Sequence, residues 1–267
     1  MGNTPISLAA LSLIALASTA TDARAADQDW SGFHVGFGVA QTRGDVDTEA
    51  MLGGQWNGYP GAAQAAEALN ADGSLSGSGA GIQFGYDHQF ADRWVVGVAM
   101  DYTQAGAESA VTRTTAYPGG GEDAPSNIRA SSVVELGRAY SVRSRVGYAT
   151  GRMLWYATAG YASSSADAYT TLDYTVPLTN SAFGKRGSAS ITSRGVVWGA
   201  GVDWRFAQHW DAGLRYTRSS GGDSADYTLT TVSRSGQFTV QPPEAFAERV
   251  AQRIDHDSIA LTVSYRF

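Results

Sequence analysis

From Ile259 to Phe267 the chain alternates: Ile259, Leu261, Val263, Tyr265 and Phe267 are large and apolar, and Ala260, Thr262, Ser264 and Arg266 fall between them. A repeat of two predicts a strand with one oily and one polar face. Seven earlier segments carry the same repeat. Phe33, Val35, Phe37 and Val39 stand against Gly32, His34, Gly36 and Gly38, and Ile82, Phe84, Tyr86, His88 and Phe90 against Gln83, Gly85, Asp87 and Gln89. Trp94, Val96, Val98, Met100 and Tyr102 oppose Gly97, Ala99 and Asp101, while Tyr140, Val142, Val146 and Tyr148 oppose Arg143 and Arg145. Met153, Trp155, Ala157, Ala159 and Tyr161 form one face of the fifth segment. Val196, Trp198, Ala200, Val202, Trp204 and Phe206 oppose Asp203 and Arg205, and Trp210, Ala212, Leu214 and Tyr216 oppose Asp211, Arg215 and Thr217.

Every Asp and Arg inside these eight segments takes the polar parity, and none takes the apolar one. A soluble sandwich would segregate charge in the same way, so the ends of the strands decide. Phe90, Trp94, Tyr148, Phe206, Trp210 and Phe267 mark one end of the oily faces, and Tyr102, Tyr140, Tyr161 and Tyr216 the other. Paired aromatic girdles are the mark of a barrel in a bilayer. The connections agree. Ala91 to Arg93, Ala149 to Arg152 and Ala207 to His209 bridge one rim, whereas residues 43–79, 104–138, 163–193 and 218–256 connect the other. The expected fold is an all-β, eight-stranded antiparallel up-and-down transmembrane barrel with short periplasmic turns and long extracellular loops. Its terminal strand should close the sheet on the first, because lipid tolerates no open edge.

Composition sharpens this picture at three points. Charged residues make up only 16% of the chain, against ~25% in ordinary soluble domains. A net charge of -6 argues against a nucleic-acid partner, which calls for a basic patch. With no cysteine, disulfides are excluded, and no histidine pairing supports a metal site or cofactor. The apolar run Ile6 to Ala17, followed by Ala23-Arg24-Ala25, predicts a secretory leader over residues 1–25, cleaved between Ala25 and Ala26, although no basic residue precedes the run. Residues 26–267 then form the barrel domain.

The quoted stretches "WSGFHVGFGVA", "GIQFGYDHQFADRWVVGVAMDY", "RVGYATGRMLWYATAGYA", "GAGVDWRFAQHWDAGLRYTR" and "IALTVSYRF" together resemble the small outer-membrane barrels of Gram-negative bacteria. Within the OmpA/OmpX-type group they are most similar to the porin-like outer-membrane immunogenic proteins of alphaproteobacteria. The likeness covers all eight strands and not the long connections. It implies export through the periplasm, integral residence in the outer membrane among its lipids and lipopolysaccharide, and surface-exposed loops open to extracellular ligands. It also implies that Phe267, with Tyr265, is the C-terminal signal read by the barrel-assembly machinery. Unlike in the larger OmpA-type proteins, no further domain is expected after the barrel.

Candidate chemistry lies inside. An eight-stranded barrel is just wide enough for its own side chains, so Asp87, Asp101 and Asp203 are expected to pair with Arg143, Arg145, Arg205, Arg215 and Arg266. Such a network is either a satisfied plug or the lining of a narrow pore; the plug is the expectation. An enzyme is not expected. His256 and Ser258 share the interior parity, whereas a lipid-processing centre needs lipid access, and His34, His88 and His209 read as interface or turn residues. Arg43-Gly44-Asp45 opens the first long connection, where "DVDTE" lacks the spacing of a calcium loop. "GAAQAAEALN" and "PPEAFAERVAQRI", the latter with Phe246, Val250 and Ile254 four apart, are expected as short helices over the mouth. The expected role is structural and surface-interactive, with a small diffusion channel as the alternative and a lipid-modifying enzyme behind it.

Overall fold

The computed structural model describes residues 29–70, 72–91, 93–117, 126–239 and 242–267, so the expected leader and its Ala25–Ala26 junction lie outside the described residues. In chain order the strands are β1 (Gly32–Gly54), β2 (Gly73–Phe90), β3 (Trp94–Tyr117), β4 (Ser126–Thr150), β5 (Met153–Val176), β6 (Ser181–Ala207), β7 (Trp210–Thr228), β8 (Thr230–Ser235) and β9 (Phe246–Arg266), with an α-helix, α1 (Ala62–Leu69), between β1 and β2. Neighbours in sequence pair antiparallel from β1 to β7, and β9 joins β7 to β1, which closes a ring of eight. β8 carries on the course of β7 and pairs with the top of β6, over Ala182 to Arg186. Closure is continuous from His34 opposite Arg266 to Gly54 opposite Phe246, and the Phe267 N–H donates to the Phe33 carbonyl at 2.9 Å.

At the short-turn end the hairpins are tight. Phe90 pairs with Trp94, Thr150 with Met153 and Ala207 with Trp210. Gly151 stands at a φ of +60°, a left-handed conformation that costs glycine little. Above these turns the outward residues form the expected belt. Phe33, Phe37, Val98, Met100, Tyr140, Val142, Trp155, Tyr161 and Val196 are all at least half exposed.

The four long connections differ from the expectation in form. Most of each is strand: β4 runs for 25 residues and β6 for 27, whereas ~9 to 11 suffice to cross a bilayer. At ~3.3 Å per residue and a tilt of ~40°, the extensions of β4 to Ser126 and of β6 to Ser181 carry the wall roughly 35 to 40 Å beyond the belt. Arg43-Gly44-Asp45 and the "DVDTE" segment are thus strand, inside β1. "GAAQAAEALN" does form a helix, α1, whose Ala65, Ala68 and Leu69 are buried. The "PPEAFAERVAQRI" expectation is corrected. Only Pro243–Ala245 makes a turn of 3-10 helix, and β9 begins at Phe246. A spacing of four fits a strand as well as a helix, and Glu248 and Gln252 share the buried face with Phe246, Val250 and Ile254.

In these extensions the faces exchange character. Along β1 the outward series passes from Phe33, Phe37 and Val39 to Gln41, Arg43, Asp45, Asp47 and Glu49, all exposed. The lumen series gains Val46 and Thr48. Around the ring, Leu75, Ile128, Val134, Leu136, Leu172, Ile191, Val250 and Ile254 join Val46 in one buried apolar core inside the extended half. Trp56, Tyr174, Phe183, Phe238 and Phe246 cap it, with Trp56 and Phe246 centroids 4.9 Å apart. A bulge between Leu136 and Ala139 moves the lumen parity of β4 from odd numbers below to even numbers above.

Candidate functional site: the filled lumen

The lumen of the belt half is occupied by charge. Arg145 on β4 donates Nε to Asp87 Oδ1 at 2.5 Å and Nη2 to Asp87 Oδ2, and reaches Asp203 on β6 through Nη1 at 3.1 Å. Arg266 on β9 reaches Asp87 through Nη1 at 2.9 Å and Asp211 through Nε at 3.1 Å. Arg205 donates Nε to Asp211 at 2.8 Å. One step higher, Asp101 on β3 accepts from Arg143 Nε at 3.2 Å and Arg143 Nη2, from Ser141 Oγ at 3.2 Å, and from Arg215 Nη2 at 2.9 Å. The other end of Arg215 donates Nη1 to Gln83 Oε1 at 2.9 Å, and Gln83 in turn donates to Ser264 Oγ at 2.9 Å.

Alternation puts these residues inside, and register brings them level. Asp87 faces Gly97 across β2 and β3, and Gly97 faces Arg145 across β3 and β4. The glycine makes the contact possible, since a Cβ at Gly97 would lie 2.1 Å from Asp87 Oδ1. Asp87 is fully buried, and such a carboxylate persists only when paired. Arg145 also lies over the Tyr156 ring, 5.1 Å from its centroid.

Every arginine and aspartate expected in the interior network faces this lumen, and two participants were not in that pairing scheme. Asp211, on the same parity, bridges Arg205 and Arg266. Trp30 precedes β1, is fully buried, and stoppers the periplasmic end against Val95, Ala149 and Leu154. The Arg205 guanidinium sits 4.2 Å from its ring centroid, and Arg266 Nη1 donates to its carbonyl at 2.6 Å. Alternation could have placed Asp211, but no periodic signal marks Trp30. His34, expected as an interface or turn residue, is corrected to a lumen residue, its Nδ1 3.5 Å from Asp87 Oδ2. His209 does sit in a turn, its Nδ1 2.9 Å from the Arg266 carbonyl, and His88 is outward and exposed.

The extended half has its own polar elements. Lys185 Nζ lies 2.7 Å from Glu248 Oε2, and Trp56 Nε1 donates to Glu248 Oε1 at 2.6 Å, all three buried. Gln252 donates to Ser132 Oγ at 2.5 Å and accepts from Tyr227 at 3.2 Å, tying β9 to β4 and β7 through the core. Burial raises Glu248 above the ordinary glutamate value, while Lys185 and Trp56 pull it back. Tyr59, half-buried and paired with Tyr174 at 3.0 Å, is raised by its burial and by that hydrogen bond.

Residues 7–267 match the model of the outer membrane protein beta-barrel domain. The chain belongs to that family. It is therefore an integral barrel of the Gram-negative outer membrane, with its belt in the lipid and its extended half on the outer side. No curated protein sequence matches it. Solved structures similar to this barrel include OprG of Pseudomonas aeruginosa, at 12% identity over 90% of this chain and 98% of that one, with a TM-score of 0.41. Ail, the attachment invasion locus protein of Yersinia pestis, is 14% identical over 89% and 99%, with a TM-score of 0.34. The outer membrane protease OmpT of Escherichia coli is 8% identical over 88% and 97%, with a TM-score of 0.31. At these values no residue role passes from those proteins to this barrel.

Proposed function

We propose that this barrel is a closed, non-conducting envelope protein whose role is structural and surface-interactive. It braces the outer membrane and holds a stiff rim away from the bilayer. The observation that carries this reading is the filled lumen. Trp30 and the arginine–aspartate layer occupy the belt half, and a contiguous apolar core with α1 occupies the extended half. A solute would have to displace both, and among the described residues the upper obstruction contains no charge pattern through which an ion could pass other than the sealed Lys185–Glu248 pair. The alternative, a small diffusion channel, requires both fillings to move. A lipid-modifying activity is not favoured, because His256 and Ser258 line the interior and not the lipid face.

The partners follow from the outer surface. Arg43, Arg138, Arg194 and Arg218 face outward just above the belt, level with the headgroups, where lipopolysaccharide phosphates would meet them. Exported chain, cleaved between Ala25 and Ala26, would be assembled through the terminal Tyr265 and Phe267. Phe267 is 72% exposed on the lipid face, and its ring packs edge-on to Tyr265 at 5.1 Å. Extracellular ligands would meet the hairpins above the core. The deciding experiment is single-channel recording of the refolded mature chain in a planar bilayer, with folding verified by a gel shift on boiling. A folded barrel that passes no steady current is expected; reproducible current steps would overturn the closed reading in favour of the channel.

A further inference from the structure

Between the charged layer and the apolar core, the lumen leaves a chamber of about 100 Å³. Its walls are small residues such as Gly38, Gly81 and Ala162, its hydroxyls come from Thr217, Ser258 and Thr262, and Ala105, Leu136 and Val197 form its apolar side. Asp101, Arg143 and Arg215 line it together with Gln83 and His256.

The charges below the chamber do not balance. Asp87, Asp203 and Asp211 engage Arg145, Arg205 and Arg266, three against three. Asp101 alone engages both Arg143 and Arg215. Among the described residues the surplus of one positive charge therefore belongs to the pair of guanidiniums that face the chamber. Arg143 is 3% exposed and Arg215 15%, so bulk water screens neither well. Arg215 also keeps a donor in reserve: its Nε is buried without a hydrogen-bond partner. An uncompensated charge in such surroundings is costly and draws in a counter-charge.

We infer that this chamber is a binding site for a small monovalent inorganic anion of halide size, held by Arg215 and Arg143 with hydroxyl donors from Thr217, Ser258 and Thr262. The volume selects the class. A space of this size takes a chloride with a few waters, and gluconate, a far bulkier anion, is the contrast. The inference goes beyond the closed-barrel reading and concerns what completes the lumen chemically.

The test uses the mature chain refolded in sodium chloride, sodium bromide or sodium gluconate at equal ionic strength, and crystals grown from bromide. An anomalous bromide peak within hydrogen-bond distance of Arg215 is expected. The thermal unfolding midpoint should be higher in either halide than in gluconate, rising by about 3 to 5 °C per tenfold halide once the site is mostly filled. Arg215→Gln removes the surplus charge and should abolish both the peak and the halide dependence. If that variant fails to fold, Ser258→Asp places a carboxylate in the chamber and should fold with no halide dependence. A chamber without bromide density, together with equal midpoints in chloride and gluconate, overturns the site. So does an Arg215→Gln or Ser258→Asp barrel that keeps the full halide dependence.

Discussion

The belt half and the extended half of this barrel are built from the same eight continuous strands, yet one is the other turned inside out. Below, Phe37, Val98 and Trp155 face out and Asp87, Arg145 and Arg266 face in. Above, Asp47, Glu49 and Arg253 face out while Leu172, Ile128 and Val250 face in. Backbone alternation is common to both, and what differs is the medium outside. Lipid takes the apolar face in the belt and leaves charge to be satisfied within. Water reverses the assignment, and the upper half is then held together by an ordinary apolar core.

Four predictions break or sharpen that contrast. Asp87→Ala leaves Arg145 and Arg266 facing each other in the lumen and should cost about 3 to 5 kcal/mol, the largest effect; the urea midpoint of the refolded barrel measures it. Leu172→Ala opens a cavity in the upper core and should cost about 2 to 5 kcal/mol, whereas a polar lumen position of the belt offers no comparable apolar burial to lose. On the outside the comparison is direct. Val98→Arg in the belt should cost about 2 to 4 kcal/mol near the midplane, while Ser188→Arg on the wet wall of β6 should stay within about 0.5 kcal/mol of zero. Equal penalties in paired urea titrations would dissolve the boundary between the halves.

The smallest effect is a slope with pH. Glu248, well above the belt, is raised chiefly by burial. A raised folded-state value means that its contribution to stability is fully present below the ordinary glutamate range, about pH 4.3. That contribution is lost as pH rises through the folded-state value. Glu248→Gln should therefore flatten the decline in stability across that window, and an unchanged profile would place the titration elsewhere.

The sequence made the belt legible because its outward residues are large and aromatic, so alternation stands out. The extensions alternate just as strictly, but polar residues such as Asp45, Asp47 and Glu49 outside and small ones such as Ala166 and Ala168 inside have the composition of loops. The bulge at Gly137 breaks the parity of β4 at the very place where the outward face changes character. In β9, Phe246, Val250 and Ile254 satisfy two periods at once, and only the buried Glu248 and Gln252 show which one holds. The lumen arginines and aspartates could be named from parity. Their partners could not, because which residues stand level across a barrel depends on register and stagger. Asp211 gained its bridging role that way, and Trp30 was hidden because it lies outside any strand.

The inversion itself is the central claim, and the absence of native cysteine makes it directly measurable. Single cysteines placed in turn from Phe33 to Glu49 along β1, spin-labelled in bilayers, report lipid through oxygen and water through a polar relaxant. Odd positions should favour oxygen from 33 to 39 and the polar relaxant from 41 to 49, with even positions shielded from both throughout. If labels from 41 to 49 show no alternation and uniformly high mobility, the extended half is not a barrel and the account fails there.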